Sequence, residues 1–524
     1  MAELSKAIAR LMQERERAQP HAAATDDAPK LRAILDAVRS QVSPGERTLI
    51  EAFVRQLFEK AAAELLAEGE PAQLAAWVLT AYRFIGERSS AEPRIHIYDP
   101  DLMQAGRETP GTVVETVMRD RPFIVDTVHE SIREAGGTVR RLVHPVFAVE
   151  RDTRGGILAI GAPTGLGRKE SFVHVELDRI ANREALAEQL QQRLTAVVLA
   201  ADDYPAMRAQ ADKLVAELRT RALRPPWNAE IDEIAAFIEW LGRKNFVFLG
   251  YREYQLAGQG AERTAAVRRG SGLGILRHEE RSGFGTARVL SELLRRRLNE
   301  PPLLIISKTN AESPIHRRAH MDYLGLKEID SAGVVVGERR FLGLFTSKAY
   351  AEEAAAVPLL RRKLASILDS EGATEESHDY TAITAVFDSI PKVEALAAAA
   401  AELRVEIKTI LAAEGGTDVT VVQRTDALGR GVFVIAILPR ERFSDELYRR
   451  IEARLAPLLG ASAVLDQHVA LDDRDQVRLH FYFAAPVDRV RGQTEAELRI
   501  QVLQLLRTWD DRLQDLLREQ FPRE

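Results

Sequence analysis

Charged and imidazole side chains interrupt an otherwise apolar stretch between residues 301 and 350. They are Lys308, His316, Asp322, Glu338, Arg339 and Arg340. Because neighbouring residues of a β-strand point to opposite faces, Glu338 and Arg340 should lie together, with Arg339 on the other face. One interpretation is a polar pocket on a sheet. The alternative, which we favour, is an ion-paired cluster that fixes strand register, since buried charges usually require partners and no nucleophile with an adjacent base is evident.

A second group of candidate residues marks the point where a predicted strand turns into a helix. It comprises Arg121, Pro122, Phe123 and Asp126, with Arg440 and Arg442 at a similarly charged corner later in the chain. The free amide groups of a helix start attract anions, and Arg121 would add positive charge. Asp126 would oppose an anion but could hold an amino group. The alternative is that Asp120 and Asp126 only cap and complement the helix.

The motifs of several catalytic and cofactor sites are missing from the sequence. No segment completes the G-x-G-x-x-G dinucleotide pattern, the phosphate loop or the H-E-x-x-H metal helix. His316 and His320 are spaced as metal ligands on a helix would be, but Ser313-Pro314 and the strand-like residues after Met321 argue against a helix there. We therefore predict no catalytic residue, no metal site and no cofactor in this chain.

Composition excludes further classes of function. The 524 residues carry a net charge of −6 and no cysteine, which leaves neither a basic face for nucleic acid nor thiol chemistry. No apolar run reaches the ~20 residues that a membrane span needs. We expect a cytoplasmic protein with no nucleic-acid or membrane partner.

The elements that position these residues follow from hydrophobic spacing. Residues 1–90 are predicted to be helical, with an N-terminal helix that could act as a docking arm. The alternative is a frayed, solvated helix. From Arg94 the pattern reads strand, strand, helix, strand, strand, helix, with Pro122 opening the first helix, one long strand at 139–149 and the second helix at 186–198. The same order returns from Val419, with a turn from Asp426 to Gly429 between the first two strands. This order is a circular permutation of the split βαβ unit. Between these repeats, short apolar runs at 303–307, 321–329 and 334–345 predict antiparallel strands, with a hairpin turn at 331–333.

Long strings in the same regions carry a family resemblance. They are GSGLGILR at 270–277, LLIISKTN at 303–310, MDYLGLKEID at 321–330 and VVVGERRFLGLFTS at 334–347. The chain resembles the N-terminal half of the large bacterial NAD-specific glutamate dehydrogenases. The resemblance implies two ACT-like modules and a PAS-type central domain. It also implies that the dehydrogenase domain, with its NAD, lies C-terminal to everything present here.

Together these observations predict an α+β fold in which two ferredoxin-like, ACT-like sandwiches flank a PAS-like antiparallel sheet domain. The expected divisions are a helical segment at 1–90, a first ACT-like domain at 91–205, a PAS-like domain at 228–372, a helical connector at 373–415 and a second ACT-like domain at 416–524. Within the connector, a single alanine-rich helix is expected at roughly 393–411. The predicted role is a non-catalytic regulatory and oligomerisation segment of a glutamate dehydrogenase. Its partners would be further copies or a matching dehydrogenase segment, with an amino acid or a dicarboxylate as effector. The alternative is a free-standing ACT/PAS-type small-molecule sensor or scaffold.

Overall fold

The structure is a computed structural model of the chain. It describes residues 28–68, 70–86, 92–100, 111–221, 223–413, 416, 418–471, 476–485, 494–507, 513 and 517. The contacts divide the chain into two compact units, Met1–Ala201 with Pro314–Arg318 and Asp202–Ser313 with Ala319–Glu524. The predicted N-terminal arm and the end of the predicted last helix lie outside the described residues.

The first unit opens with three helices that bury one apolar face against a sheet. They are α1 Ala28–Arg39, α2 Arg47–Glu68 and α3 Pro71–Gly86. Phe53 of α2 packs its ring 5.2 Å from that of Phe147 in the sheet. Residues at helical spacing, such as Phe53 and Leu57, are fully buried in the same core as Val117 and Phe172 of two strands. The helical prediction for this segment is thus confirmed over its described residues.

The sheet of the first unit has six antiparallel strands. They are β1 Arg94–Tyr98, β2 Gly111–Arg119, β3 Val139–Val143, β4 Val146–Arg151, β5 Ile157–Gly161 and β6 Arg168–Asp178. Their order is β1-β2-β6-β4-β5, and β3 also pairs with β6. The prediction of one long strand from Val139 to Val149 is wrong, because the chain breaks into β3 and β4 at His144-Pro145, where proline offers no amide hydrogen to a ladder. Strand β5 was not predicted.

Helices α4 Ile124–Glu134 and α5 Arg183–Thr220 complete this region, and α5 contributes residues to both units. Pro122 was predicted to open α4. The helix instead begins at Ile124, and Phe123 precedes it in a left-handed conformation with φ of 72°. Helix α5 continues through Pro205, well beyond the predicted end at Val198.

The second unit contains a larger antiparallel sheet of seven strands. They are β7 Phe246–Ala257, β8 Thr264–Val267, β9 Leu273–Gly274, β10 Arg288–Val289, β11 Leu304–Glu312, β12 His320–Ile329 and β13 Val335–Phe345. The order is β10-β8-β7-β13-β12-β11, and β9 also pairs with β7. The three predicted strands are confirmed as β11, β12 and β13. The predicted hairpin turn is confirmed as well, since Asp330 accepts hydrogen bonds from the amides of Ala332 and Val334.

Helices pack on this sheet and extend its core. They are α6 Ile231–Trp240, α7 Glu292–Asn299, α8 Ser347–Ala351, α9 Leu360–Ser370, α10 His378–Ser389, α11 Lys392–Ala397 and α12 Ala400–Ala413. A single alanine-rich helix was predicted from Val393 to Leu411. That prediction is wrong, because extended backbone at Ala398 separates α11 from α12.

A four-stranded antiparallel sheet ends the second unit. Its elements are β14 Thr420–Thr425, β15 Val432–Pro439, α13 Asp445–Leu459, β16 Ala463–Leu471, β17 Gln476–Ala484 and α14 Glu495–Leu506. The strand order is β14-β15-β17-β16, and the predicted succession of strands and helices is confirmed. One face packs on α13 and α14, where Val434 shares a core with Ile451 and Leu498. From the other face, Ile435 and Ile437 join the core of the larger sheet. Among the described residues, no helix is long and apolar enough to span a membrane.

Candidate functional site

Lys308 and Asp322 form a buried ion pair between β12 and β11, the edge strand of the larger sheet. They face each other across β11 and β12, and Nζ lies 3.0 Å from Oδ1. Lys308 is 3% exposed and Asp322 is 0% exposed. Lys308 Nζ also lies 3.2 Å from Asp466 on β16. Burial opposes the lysine's charge, but the carboxylates of Asp322 and Asp466 outweigh it and raise the pKa of Lys308. One lysine therefore joins the larger sheet to the four-stranded sheet.

A second contact between these sheets involves the neighbouring residue, Ser307. Its hydroxyl donates to Asp426 at 2.9 Å and lies 3.4 Å from the hydroxyl of Tyr482. Asp426 also accepts from the amides of Leu428 and Arg430, as expected for an aspartate that forms a turn. We call the group Ser307, Lys308, Asp322, Asp426, Asp466 and Tyr482 the polar seam.

Glu338 and Arg340 lie together on one face of β13, as strand alternation predicts. Their closest atoms are 2.8 Å apart. The guanidinium stacks on two tyrosines, with its central carbon 3.9 Å from the ring of Tyr254 and 4.8 Å from that of Tyr323. Tyr323 donates its hydroxyl to Glu338 at 2.7 Å. Both charged groups of this pair thus find partners within the protein.

Two predicted members of the cluster lie elsewhere. Arg339 points to the opposite face, where it pairs with Glu328 at 2.6 Å and with Glu217 at 2.7 Å. His316 belongs to the first unit, because the loop between β11 and β12 carries it away from the sheet. The grouping of His316 with Lys308 is therefore wrong. Sequence spacing did not indicate that a short segment would leave its parent sheet.

His316 instead lies at the corner that was predicted to bind an effector. Its Nδ1 is 2.7 Å from Asp126, and its ring is 4.9 Å from that of Phe123. The hydrogen bond from His316 is the main cause that lowers the pKa of Asp126. Arg121 donates to the carbonyl oxygen of Arg119 at 3.1 Å. No side chain caps α4, so Asp120 and Asp126 do not cap it, but Asp126 lies in the first turn, where a negative charge complements the helix start.

The second charged corner is built differently. Arg440 and Arg442 form a single 3₁₀ turn that ends before Ser444, whose side chain caps α13. Arg442 donates to the carbonyl oxygen of Leu506 at 3.4 Å. The helix after Arg442 starts with a side-chain cap on extended backbone, whereas the helix after Arg121 starts without one on left-handed backbone, so the two corners differ.

A third buried group, which was not predicted, joins helices α11 and α12 to the four-stranded sheet. Glu394 lies 3.0 Å from His480, and Arg424 lies 3.7 Å from both Glu394 and Glu406. Burial and the nearby Glu394 raise the pKa of Glu406 to about 8. Glutamates within a helical pattern usually mark a solvated face, so no local pattern indicated this group.

Comparison with known proteins identifies the domains in which these groups of residues lie. Models of one family match three segments: the glutamate dehydrogenase ACT1 domain at residues 53–194, its helical motif 1 at 357–415 and its ACT2 domain at 420–510. The NAD-specific glutamate dehydrogenase of Pseudomonas aeruginosa is 27% identical over 91% of this chain, and that of Halomonas elongata is 28% identical over 94%. The chain belongs to the NAD-specific glutamate dehydrogenase family. The family resemblance of the sequence is thereby confirmed.

The match covers a limited part of each relative. The chain spans 30% of the Pseudomonas aeruginosa protein, 31% of the Halomonas elongata protein and 26% of a more distant Mycobacterium tuberculosis relative, also an NAD-specific glutamate dehydrogenase. Within this glutamate dehydrogenase region, the corner at Arg121 and Asp126 lies in the ACT1 match. Glu394 and Glu406 lie in helical motif 1, and their partners Arg424 and His480 lie in ACT2.

Proposed function

We propose that this chain is a non-catalytic regulatory and assembly segment of a large NAD-dependent glutamate dehydrogenase. The parent enzyme would convert glutamate to 2-oxoglutarate and ammonium and reduce NAD. The observation that carries the proposal is the presence of ACT1, helical motif 1 and ACT2 matches in one chain. The sequence itself contains no dinucleotide motif, so NAD would bind to a part of the enzyme outside this chain.

A finer assignment of the fold is part of the proposal. The order β14-β15-β17-β16 and the two helices on one face support a circularly permuted ferredoxin-like sandwich for the ACT2 region. The seven-stranded sheet, with helices packed on it, would be the PAS-like domain. The six-stranded sheet would be the first ACT-like module, enlarged by the additional strands β4 and β5.

The buried charges explain how such a segment could transmit a signal. The polar seam and the group around Arg424 join the larger sheet, helices α11 and α12 and the four-stranded sheet. Since breaking a buried ion pair costs several kcal/mol, these elements should move as one body. An effector bound to one element would then affect the surfaces of the others, through which we expect contact with further copies or with a dehydrogenase segment in the cytoplasm.

Reconstitution tests this proposal. The chain is co-expressed with the dehydrogenase segment encoded by the same organism, and the complex is characterised by light scattering and by glutamate-dependent reduction of NAD. We expect a stable complex whose activity or effector response depends on this chain. A chain that stays monomeric and leaves the dehydrogenase unaffected would contradict the proposal and favour a free-standing sensor.

A further inference from the structure

Three helices of the region matched by helical motif 1 enclose a groove that none of the groups above occupies. It has a volume of about 210 Å³ and lies between α9, α10 and α12. Its apolar floor consists of Ile367, Ile383, Ile407 and Leu411. The volume is below the ~300–1,000 Å³ of pockets for drug-sized ligands, so a smaller metabolite fits it better.

The rim of the groove is charged and asymmetric. On one side, Arg404 and Lys408 share one carboxylate, that of Glu371, at 3.4 Å and 3.1 Å. Both cations remain about half exposed, with side-chain exposures of 43% and 58%. Two cations on a single carboxylate leave positive charge for a second one. Asp379, which also lines the groove, is 83% exposed and is suited to receive an ammonium group.

We propose that this groove binds a free α-amino acid with a branched aliphatic side chain. The ligand's carboxylate contacts Arg404 and Lys408, its ammonium group contacts Asp379, and its side chain packs on the isoleucine floor. Charge-assisted hydrogen bonds orient the ligand, and burial of the aliphatic tail selects against polar amino acids. The inference rests on the proposed regulatory function and deepens it by adding a ligand site in the helical motif, separate from the corner at Arg121.

Titration calorimetry on the full chain tests the ligand class with three probes. Leucine should bind saturably. The corresponding 2-oxo acid, 4-methyl-2-oxopentanoate, keeps the tail and the carboxylate but lacks the ammonium group, and it should bind about tenfold more weakly. Aspartate lacks the aliphatic tail and should not compete with leucine. Absence of saturable binding at millimolar leucine, or equal binding of leucine and aspartate, would overturn the proposal.

Substitutions on the exposed rim locate the site without disturbing the floor. Arg404→Gln and Lys408→Gln should each weaken leucine binding about tenfold, whereas Asp379→Asn should weaken leucine but leave the 2-oxo acid unchanged. Arg296→Gln removes an exposed helical cation outside the groove, and Asp232→Asn removes another first-turn aspartate; both should bind leucine normally. Circular dichroism checks that each variant is folded.

The pattern of losses distinguishes binding in the groove from binding at the ACT1 corner. If binding survives both rim-cation variants but is lost in Arg121→Ala, leucine binds at the ACT1 corner and the groove proposal is wrong. Because the readout is binding to this chain alone, it is unaffected if the chain fails to assemble with a dehydrogenase segment. Failure of one proposal can therefore be told apart from failure of the other.

Discussion

The hydroxyl of Ser307 donates a 2.9 Å hydrogen bond to the carboxylate of Asp426, although 119 residues separate them in the chain. Both side chains are fully buried. Asp426 also holds the turn between β14 and β15 through the amides of Leu428 and Arg430. The same carboxylate thus shapes a hairpin and fixes it to a strand of another sheet. Local turn chemistry and long-range packing depend on one residue.

Asp426→Ala should destabilise the second unit strongly. The substitution removes hydrogen bonds to a charged acceptor, each of which contributes about 1.5–3 kcal/mol, and leaves the buried Ser307 hydroxyl without this acceptor. We expect the free energy of unfolding to fall by about 3 kcal/mol or more, measured by urea unfolding with tryptophan fluorescence. Asp418→Ala, at a side chain that is 86% exposed, is the control and should change little. Equal unfolding midpoints for the two variants would contradict the assigned role of Asp426.

Lys308→Met should destabilise the protein by about 3–5 kcal/mol, because it leaves the carboxylate of Asp322 buried without its cation. The double variant Lys308→Met, Asp322→Asn removes both charges and should recover part of this loss. The double-mutant cycle therefore yields a favourable coupling energy between the two positions. Independent, additive effects would show that the 3.0 Å pair contributes no stability of its own.

Local patterns in the sequence predicted much of this architecture. The apolar runs of β11 to β13, the turn at Asp330 and the repeated order at the end of the chain all follow from neighbouring residues. Alternation of strand faces also paired Glu338 with Arg340 correctly. The hairpin aspartate, Asp426, was recognised only as a turn residue, since its partner Ser307 comes from a distant strand.

The failures share a physical cause. His316 was grouped with Lys308 because the two are close in sequence, yet His316 lies in a short segment, Pro314–Arg318, that belongs to the other unit. Glu406 occupies a helix position that is typical of solvent-exposed glutamates, and only tertiary packing buries it beside Arg424. Such placements depend on contacts between elements far apart in sequence, and no local pattern specifies them.

Glu406→Gln should remove a pH dependence of stability. The folded-state pKa of about 8 lies above the ordinary value of 4.5, so between these pH values the folded chain holds a proton that the unfolded chain has released. The proton on Glu406 therefore contributes its full stabilisation of the fold below pH 4.5. That contribution to the free energy of unfolding is lost as the pH rises towards 8, at ~1.4 kcal/mol per pKa unit. Glutamine mimics the neutral carboxyl and should make the variant more stable than the wild type above pH 8.

Urea unfolding at a series of pH values between 4.5 and 8 measures this difference. Glu375→Gln, at an exposed loop position, is the control and should keep the wild-type slope. If Glu406→Gln also keeps that slope, Glu406 is ionised in the folded protein and its pairing with Arg424 is stronger than the geometry indicates.

The purified chain should neither reduce NAD in the presence of glutamate nor bind NAD. The physical reason is that the sequence holds no glycine-rich turn of the dinucleotide type to approach a pyrophosphate. Absorbance of NADH measures the reaction, and calorimetry measures binding. Saturable binding of NAD at sub-millimolar concentration would show that the chain has a nucleotide site of another kind.

Arg121→Ala tests whether the ACT1 corner binds a carboxylate effector. Asp126, considered as a partner for an amino group, is already hydrogen-bonded to His316 at 2.7 Å. A dicarboxylate therefore suits the corner better than an amino acid, with Arg121 and the first amides of α4 as donors. A charge-assisted contact contributes roughly 1.5–3 kcal/mol, so the variant should weaken binding about tenfold or more.

A thermal-shift screen of dicarboxylates and amino acids identifies the ligand, and calorimetry compares the wild type with Arg121→Ala. The fold should survive, because substitutions of partly exposed residues on the surface usually change stability little. Arg133→Ala, in the last turn of α4 and paired with Glu130, is the matched control and should bind normally. If no ligand depends on Arg121, the corner only starts a helix. If Arg121→Ala unfolds the unit while Arg133→Ala does not, the arginine supports the turn between β2 and α4 and does not sense a ligand.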